Sequence, residues 1–471
     1  MKKLSLCGIL FLIVLLSACA SRPTVTPLPA SGMAPTPTAT AKTPAPASQT
    51  PFPSPTPTLF HTPTSSPTPL SSPTTQPTDR PAYLILPDAE LVYSATALDF
   101  DTSAYLREAD GFLSGYEQYL MITGWTPAAK IVEMVALENS INPRLLLALL
   151  EFQSNCVFGG PLHAEDFGAA MGAENQFRKD FYGQLVWAAH ILSEGFYGWW
   201  GGTLGEWSFL DGTVYHPPAD ANPGTVAVQY FFAQLYDRYA WERALDPQYG
   251  FPALYEEMFG DPWARAATIG TLIPNGLSQP HLVLPFEVGK TWAYTSGPHE
   301  PFEGNGPWAA LDFAPPMDEI GCVPTCEWVT AVTNGLIVRS ELGAVIQDLD
   351  GDGDEQTGWV ILYLHIAEDG RVPVGTYLYT GENIGHPSCE GGISSGTHLH
   401  IARKYNGVWI PADGQIPFVL SGWMAHAGEA PRLGTLTRGN EILVANSSGA
   451  ASSHITHDKP EPCQTPLPGD E

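Results

Sequence analysis

The chain has 471 residues, and its 49 acidic and 21 basic side chains give a formal net charge of −28 at pH 7. So large an acidic excess argues against a nucleic-acid partner and against a basic helix on a membrane surface, because both depend on basic patches. The length allows two domains beyond an N-terminal segment of different composition.

The first 19 residues have the composition of an export signal. Lys2 and Lys3 precede an apolar stretch over residues 4–16, and small residues lead to Cys19. This pattern is typical of a secretory signal rather than of a membrane span. The ending Leu-Ser-Ala-Cys resembles the bacterial lipobox, which implies lipidation of Cys19 and an extracytoplasmic, membrane-anchored lipoprotein. The alternative is an ordinary signal peptide with a cysteine at its cleavage site.

Residues 20–81 consist almost entirely of Pro, Thr, Ser and Ala. Such a segment has too few large apolar side chains to offset the entropy lost on ordering. We therefore expect a disordered, extended linker between the membrane and the globular part.

Residues 82–271 are predicted to be helical. The segments PRLLLALLEFQSN, KDFYGQLVWAAHILSEGF and VAVQYFFAQLYDRYAW carry apolar residues at intervals of three and four. Ser140, Asn142 and Pro143 provide a start for the helix that contains the leucine run.

The segment ENSINPRLLLALLEFQSN resembles the soluble lytic transglycosylases, in which this helix ends in a catalytic Glu-Ser pair. Gln153 and Ser154 occupy the matching positions, and an amide cannot serve as a general acid. Glu151 would point to another face of the helix. The resemblance implies a lysozyme-like helical domain that has lost catalysis and holds glycan; coincidental helical patterning is the alternative.

Residues 272–425 contain short β-branched and aromatic runs broken by glycines, as in WVTAVTNGLIVRSE and GWVILYLHIA. These runs predict a mainly antiparallel β domain, with a hairpin turn at Asn334-Gly335. The predicted fold class is therefore multidomain, with a helical lysozyme-like domain followed by this β domain. Residues 426–471 are polar, and we assign them only as a C-terminal tail.

Five cysteines remain if Cys7 leaves with the signal and Cys19 carries lipid. An oxidising compartment permits disulfides, and an odd number leaves one thiol over or one intermolecular bond. Cys322 and Cys326 would pair with each other, or one of them would pair with Cys389. The five are Cys156, Cys322, Cys326, Cys389 and Cys463.

Two histidines flank a single leucine in the segment SGTHLHIARK. Side chains alternate between the two faces of a strand, so His398 and His400 would share a face while Leu399 points to the opposite layer. Two imidazoles on one face can contribute to a common site.

Further ligands for a metal are present in the same region. Asp312 lies within the apolar run AALDFA, where a carboxylate is costly unless it is paired or bound to a metal. His299 precedes it, and His365 ends the apolar run GWVILYLHIA. Histidines and one aspartate in a β context are the ligands of a catalytic zinc site.

The order His, Asp, Tyr-Leu-His and Gly-Thr-His-Leu-His resembles the LytM, lysostaphin and LasA-type (β-lytic) zinc endopeptidases, which cut peptidoglycan peptides. The resemblance covers about residues 275–425. It implies that His299, Asp312 and His400 bind zinc, while His365 and His398 are catalytic and flank the open position of the ion.

The segment DLDGDGDEQTG resembles the first half of a calcium-binding loop. Asp348, Asp350 and Asp352 precede Gly353, but Trp359 stands where such a loop has its bidentate Glu. A solvated acidic hairpin tip is one interpretation, and a calcium site is the other.

Two functions fit these patterns. The first is a lipid-anchored zinc metalloendopeptidase that hydrolyses peptide bonds in peptidoglycan. The second is a non-catalytic protein that binds peptidoglycan or regulates a hydrolase. The complete set of five site residues favours the first.

Overall fold

The computed structural model describes residues 80–160, 164–174, 178–209, 211–302, 304 and 306–458. The predictions for the export signal, Cys19, Cys463 and all but the last two residues of the linker fall outside these residues.

Most of the α-helical residues lie between 88 and 269, as the sequence predicts. Asn142 starts the leucine-rich helix, because its side chain accepts a hydrogen bond from the backbone N–H of Arg144 and Pro143 takes the first helical position. No described helix is both long and apolar enough to cross a membrane. The helices are α1 Asp88–Leu91, α2 Thr102–Ala109, α3 Ala128–Asn139, α4 Pro143–Ser154, α5 Phe181–Trp200, α6 Pro223–Ala233, α7 Arg238–Ala244, α8 Phe251–Phe259 and α9 Pro262–Ile269.

Strands begin in the helical region as two short hairpins, β1–β2 and β3–β4, and dominate after residue 290. The strands are β1 Glu117–Leu120, β2 Gly124–Pro127, β3 Trp207–Ser208, β4 Val214–Tyr215, β5 Thr291–His299, β6 Ala310–Ala314, β7 Val329–Thr330, β8 Gly335–Glu341, β9 Ala344–Asp348, β10 Trp359–Leu364, β11 Tyr377–Leu378, β12 Asn383–Gly385, β13 Leu399–Tyr405, β14 Val408–Trp409, β15 Val419–Leu420, β16 Trp423–Ala427, β17 Gly434–Arg438, β18 Glu441–Val444 and β19 His454–Thr456.

The main sheet is antiparallel throughout, in the order β11-β8-β9-β10-β13-β6-β5-β19, with β14 paired to β13. A four-stranded sheet, β15-β16-β17-β18, and a two-stranded pair, β12-β7, accompany it. The fold class predicted from the sequence, helices followed by a mainly antiparallel β region, is confirmed.

The central strands of the main sheet are buried on both faces. In β10, Val360 and Leu362 belong to the core that the sheet shares with the helices. Ile361 and Tyr363, which alternate with them, belong to a second core on the other side of the sheet. Because successive side chains point to opposite faces, the helical region covers one face and the remaining β elements cover the other.

The predicted hairpin at Asn334-Gly335 is wrong. The strand before it, β7, pairs with β12, while β8 pairs with β9 and β11, so the two runs belong to different sheets. The hairpin that does form joins β8 to β9 through Leu342 and Gly343, both with positive φ. Asn334 instead accepts hydrogen bonds from the backbone N–H and hydroxyl of Thr380.

The boundary placed at residue 425 falls inside β16, so the segment assigned as a tail continues the β region. Strands β16, β17 and β18 form a meander, and β19 pairs with β5 at the edge of the main sheet. These strands bury few side chains, among them Leu436 and Ile455. Their low apolar content explains why these strands have only a weak local signal in the sequence.

Cys322 and Cys389 form a disulfide, which selects one of the two pairings left open by the sequence. Cys326 is exposed and Cys156 is buried, and both are free thiols. The bridge joins the segment before β7 to the segment between β12 and β13.

Candidate active site

Three neighbouring strands bring His299, Asp312 and His400 together. His299 is the last residue of β5, Asp312 is central in β6, and His400 lies directly opposite Asp312 in β13. The neighbours of Asp312 in the strand, Leu311 and Phe313, point into the second core. Strand alternation therefore places all three polar side chains on the face of the sheet that the helices cover.

The side-chain atoms of this group are close together. The His400 Nδ1 atom lies 3.1 Å from Asp312 Oδ1 and 3.1 Å from His299 Nε2. His299 Nε2 lies 3.3 Å from Asp312 Oδ1. All three side chains are buried.

The outer nitrogen of each ring faces a backbone carbonyl. His299 Nδ1 lies 2.8 Å from the oxygen of Gly297, and His400 Nε2 lies 2.9 Å from the oxygen of Pro301. A carbonyl oxygen only accepts hydrogen bonds, so in the neutral rings these outer nitrogens carry the protons and donate. The inner nitrogens then present lone pairs to each other and to the carboxylate.

A cation between three lone-pair donors at such separations would stabilise them. Two imidazole nitrogens and one carboxylate oxygen, each ring oriented by a second hydrogen bond, are the donor set and outer shell of a zinc site with an open position. His299, Asp312 and His400 therefore fit zinc.

His365 and His398 lie beside this group. Their ring centroids are 4.5 Å apart, and His398 Nε2 is 3.8 Å from Asp312 Oδ2. His365 Nδ1 donates to the carbonyl of Glu390, and His398 Nδ1 donates to that of Gly396. The Nε2 atom of each neutral ring can thus accept a proton.

The backbone of His365 is in the left-handed region, with φ of 67°, directly after β10. This conformation is uncommon for a residue other than glycine and is often found at functional sites. It turns the chain sharply at the end of the strand, and it brings the ring next to His398.

Burial and charge set the pKa values of the group. Burial raises the pKa of Asp312, but the charges of His299 and His398 outweigh this and hold it well below its usual value. Burial lowers the pKa of His299, yet the Asp312 carboxylate raises it above 6.5 overall. Burial, with the neighbouring His398 and His400, lowers the pKa of His365 to about 3, so that this ring is neutral near pH 7.

Arg432 is a site residue that the sequence did not indicate. Its Nη1 atom lies 3.7 Å from Asp312 Oδ2. It belongs to the β16–β17 connection, within the segment assigned as a tail, and only the pairing of this connection with β5 places it here. No sequence motif marks it.

Two other residues near the motif have structural roles. Tyr363 is fully buried, and its hydroxyl donates to Gln347 and accepts from the N–H of Val332, so it is a core residue. His386 packs against Trp328, with ring centroids 3.8 Å apart and the ring planes tilted by 39°.

Asp348, Asp350 and Asp352 can bring carboxylate oxygens within 4.8 Å of one another. These side chains form hydrogen bonds within the loop. Asp348, for example, accepts from the N–H groups of Asp350 and Gly353. Burial and the neighbouring Asp348 raise the pKa of Asp350 to about 6. Calcium at this place has no further support.

In the helical region, Gln153 and Ser154 are the last two residues of α4, where the resemblance to transglycosylases predicts them. The Gln153 Oε1 atom accepts a hydrogen bond from the hydroxyl of Tyr236. Glu151 accepts from the N–H groups of Val157 and Phe158 and thereby fixes the turn after the helix. This arrangement gives glycan cleavage no general acid at the position of Gln153.

Known proteins resemble both regions of the chain. The family model described as LasA, N-terminal domain, matches residues 84–273. Protease LasA of Pseudomonas aeruginosa is 24% identical over 359 residues, which cover 70% of this chain and 78% of that protein.

Among solved structures, the M23 metalloprotease pseudoalterin from the deep sea is 22% identical, with a TM-score of 0.30, and the match covers 36% of this chain and 96% of that chain. The catalytic domain of the antimicrobial peptidase lysostaphin from Staphylococcus simulans is 24% identical, with a TM-score of 0.19, over 26% of this chain and 88% of that chain.

The resemblance to LasA-type peptidases that the sequence indicates is confirmed by the match to the LasA N-terminal domain and by the similarity to Protease LasA. The helical region matches the N-terminal domain of LasA, and its finer classification as lysozyme-like stays a prediction.

Proposed function

We propose, on the premise that this chain is a relative of Protease LasA, that it is a zinc metalloendopeptidase that hydrolyses peptide bonds in peptidoglycan. The observation that carries the proposal is the convergence of His299 Nε2, His400 Nδ1 and Asp312 Oδ1, with the outer ring nitrogens donating to backbone carbonyls. A cation bound between these three atoms would be stabilised by all of them.

His299, Asp312 and His400 would hold the ion. When bound, zinc would supply positive charge that polarises a scissile carbonyl and lowers the pKa of a water. The carbonyls of Gly297 and Pro301 fix the orientation of the two rings, so that their lone pairs point inward at no further entropic cost.

His365 and His398 would move protons and bind the developing oxyanion. The Nδ1 atom of His365 donates to the carbonyl of Glu390, so its Nε2 is the nitrogen that would take a proton from the attacking water. His398 lies next to it and is held by Gly396, so that it can donate a hydrogen bond when protonated.

The test combines metal analysis with hydrolysis. We expect the purified full-length chain to hold one zinc and to release new amino groups from peptidoglycan. His400→Ala should lower zinc affinity and activity by more than about 100-fold, since loss of an outer-shell partner alone costs 10–100-fold. His281→Ala, at an exposed histidine of the same region, is the matched control.

Zinc-loaded protein without hydrolysis would point instead to the non-catalytic, peptidoglycan-binding function. Full activity in His400→Ala would contradict the ligand assignment.

We further propose that the protein is anchored outside the cytoplasm through lipid on Cys19. The support is the signal-like start, the lipobox-like sequence and the Pro/Thr/Ser-rich linker. Cys19→Ser should move the protein from the membrane fraction to the soluble fraction. An unchanged distribution between the two fractions would refute lipid anchoring at this residue.

A further inference from the structure

We propose that Arg432 is a specificity-determining residue that binds a carboxylate of the peptide substrate beside the zinc group. The inference rests on the proposed peptidase function and deepens it. Peptidoglycan peptides carry free carboxylates close to their cross-links, and an arginine fork recognises a carboxylate through two parallel hydrogen bonds.

The backbone of Arg432 is fixed against the strand that carries His299. Its N–H donates to the carbonyl of Pro298, and its carbonyl accepts from the N–H of Gly297. The residue has φ of 71°, a left-handed conformation that costs free energy outside glycine. The connection between β16 and β17 is therefore held in one place relative to the site.

The side chain of Arg432, in contrast, remains accessible. It is 64% exposed, and its contact with Asp312 involves one nitrogen at 3.7 Å, longer than a hydrogen bond. A guanidinium has five N–H donors, so most of its hydrogen-bonding capacity faces solvent at the mouth of the site.

The charges of the site favour an anionic group. A divalent ion held by two neutral imidazoles and one carboxylate has a net charge of about +1, and Arg432 adds another positive charge. The rest of the protein is strongly acidic. A substrate carboxylate would therefore be attracted to this positively charged site and repelled by the acidic surface elsewhere.

Exposed apolar side chains lie on the segments that adjoin Arg432 and His398. Leu433, next to Arg432, is exposed, and so are Ile320 and Ile393. The loops of these two isoleucines reach the chain beside His398, since Gly321 accepts from the N–H of Thr397 and Ser394 Oγ lies 3.2 Å from His398 Nδ1. Apolar side chains near one charged group are common in sites that bind peptides.

The experiment uses two probes, a cross-linked muropeptide with free carboxylates and the same muropeptide with every carboxylate converted to a carboxamide. Their dissociation constants are measured by calorimetry on the zinc-loaded full-length chain carrying His365→Gln, which prevents turnover. In that background Arg432→Gln should weaken binding of the acidic probe about 10-fold and leave the amidated probe unchanged. Arg432→Lys should retain part of the difference, because it keeps the charge and loses the fork.

Arg107→Gln, an exposed arginine on α2, serves as the matched charge control and should change neither constant. Equal weakening of both probes, loss of zinc in Arg432→Gln, or no binding of the acidic probe would each overturn the assignment. In the chain with the native His365, cleavage of both probes at rates that Arg432→Gln does not change would overturn the assignment, while the peptidase function would stand. Arg432-dependent binding without any cleavage would leave the assignment standing and refute the peptidase function.

Discussion

At the scale of single residues, hydrogen-bond direction gives the site its chemistry. The sequence names the histidines, but their roles depend on which nitrogen carries the proton. The carbonyls of Gly297 and Pro301 settle this for His299 and His400, and that of Glu390 does so for His365. None of these carbonyls has a side-chain signature, because any residue type supplies the same backbone oxygen.

The depressed pKa of His365 predicts a pH dependence of stability. Its native pKa is about 3 against an ordinary value of 6.5, so between these values the unfolded chain binds a proton that the native chain does not. Stability should therefore fall as the pH drops below 6.5, by about 1.4 kcal/mol per pH unit from this group. Urea unfolding of the metal-stripped protein at pH 7, 6 and 5 measures the slope.

His365→Gln should remove this part of the slope, whereas His281→Gln, at an exposed position, should keep it. If the free energy of unfolding changed equally with pH in His365→Gln and in the unmodified chain, the His365 ring would not be desolvated as described.

At the scale of elements, two connections hold the site together. The β16–β17 connection lies so close to β5 that a Cβ on Gly297 would stand 2.6 Å from the carbonyl carbon and oxygen of Leu433. Only glycine allows this approach. The disulfide Cys322–Cys389 ties the segment that contacts Thr397 to the segment that contacts His365 and His398.

Gly297→Ala should push the β16–β17 connection away from β5 and move Arg432 from Asp312. We expect a loss of about 1–3 kcal/mol in the free energy of unfolding, as for other overpacked positions. The preference for the acidic probe should decrease as well. Gly115→Ala, where a Cβ meets nothing within 4 Å, is the control for the change of residue type; an equal loss in both variants would contradict the packing argument.

Cys389→Ser should lower the free energy of unfolding by about 2–5 kcal/mol through loss of the cross-link. It should also reduce hydrolysis, because Glu390, whose carbonyl orients His365, follows directly in the chain. Zinc affinity should change little, since His299, Asp312 and His400 lie on strands. Calorimetry and zinc titration measure these effects, and Cys326→Ser, at an exposed free thiol, should match the unmodified protein.

At the scale of the whole molecule, the main sheet is shared between the two regions. Residues from β9, β10 and β13, such as Ile346, Leu362 and Ala402, lie in one core with the helices. The hydroxyl of Tyr197 accepts a hydrogen bond from the N–H of Trp409, and the Ser140 hydroxyl donates to the carbonyl of Gly407. The helical and β regions therefore stabilise each other.

The β region produced alone, as residues 272–458, should be unstable or aggregate. Exposure of Ile346, Val360 and Leu362 costs about 1.5–3 kcal/mol each, which is a large fraction of the 5–15 kcal/mol that stabilises a typical domain. Size-exclusion chromatography and thermal unfolding, compared with the full-length chain, test this. A monomeric β region with an unchanged melting temperature would show that the helices add no stability to it.

The sequence by itself determined the helical and β halves, the start of α4 and the identity of the histidines and aspartate of the site. Helical periodicity, capping residues and alternation along a strand are local properties, so they are readable over a few residues. The tertiary structure alone decided which strands pair, which cysteines bond, that the supposed tail belongs to the sheet, and that Arg432 reaches Asp312. These contacts join residues far apart in the chain, and they depend on the register and packing of strands with weak local signals.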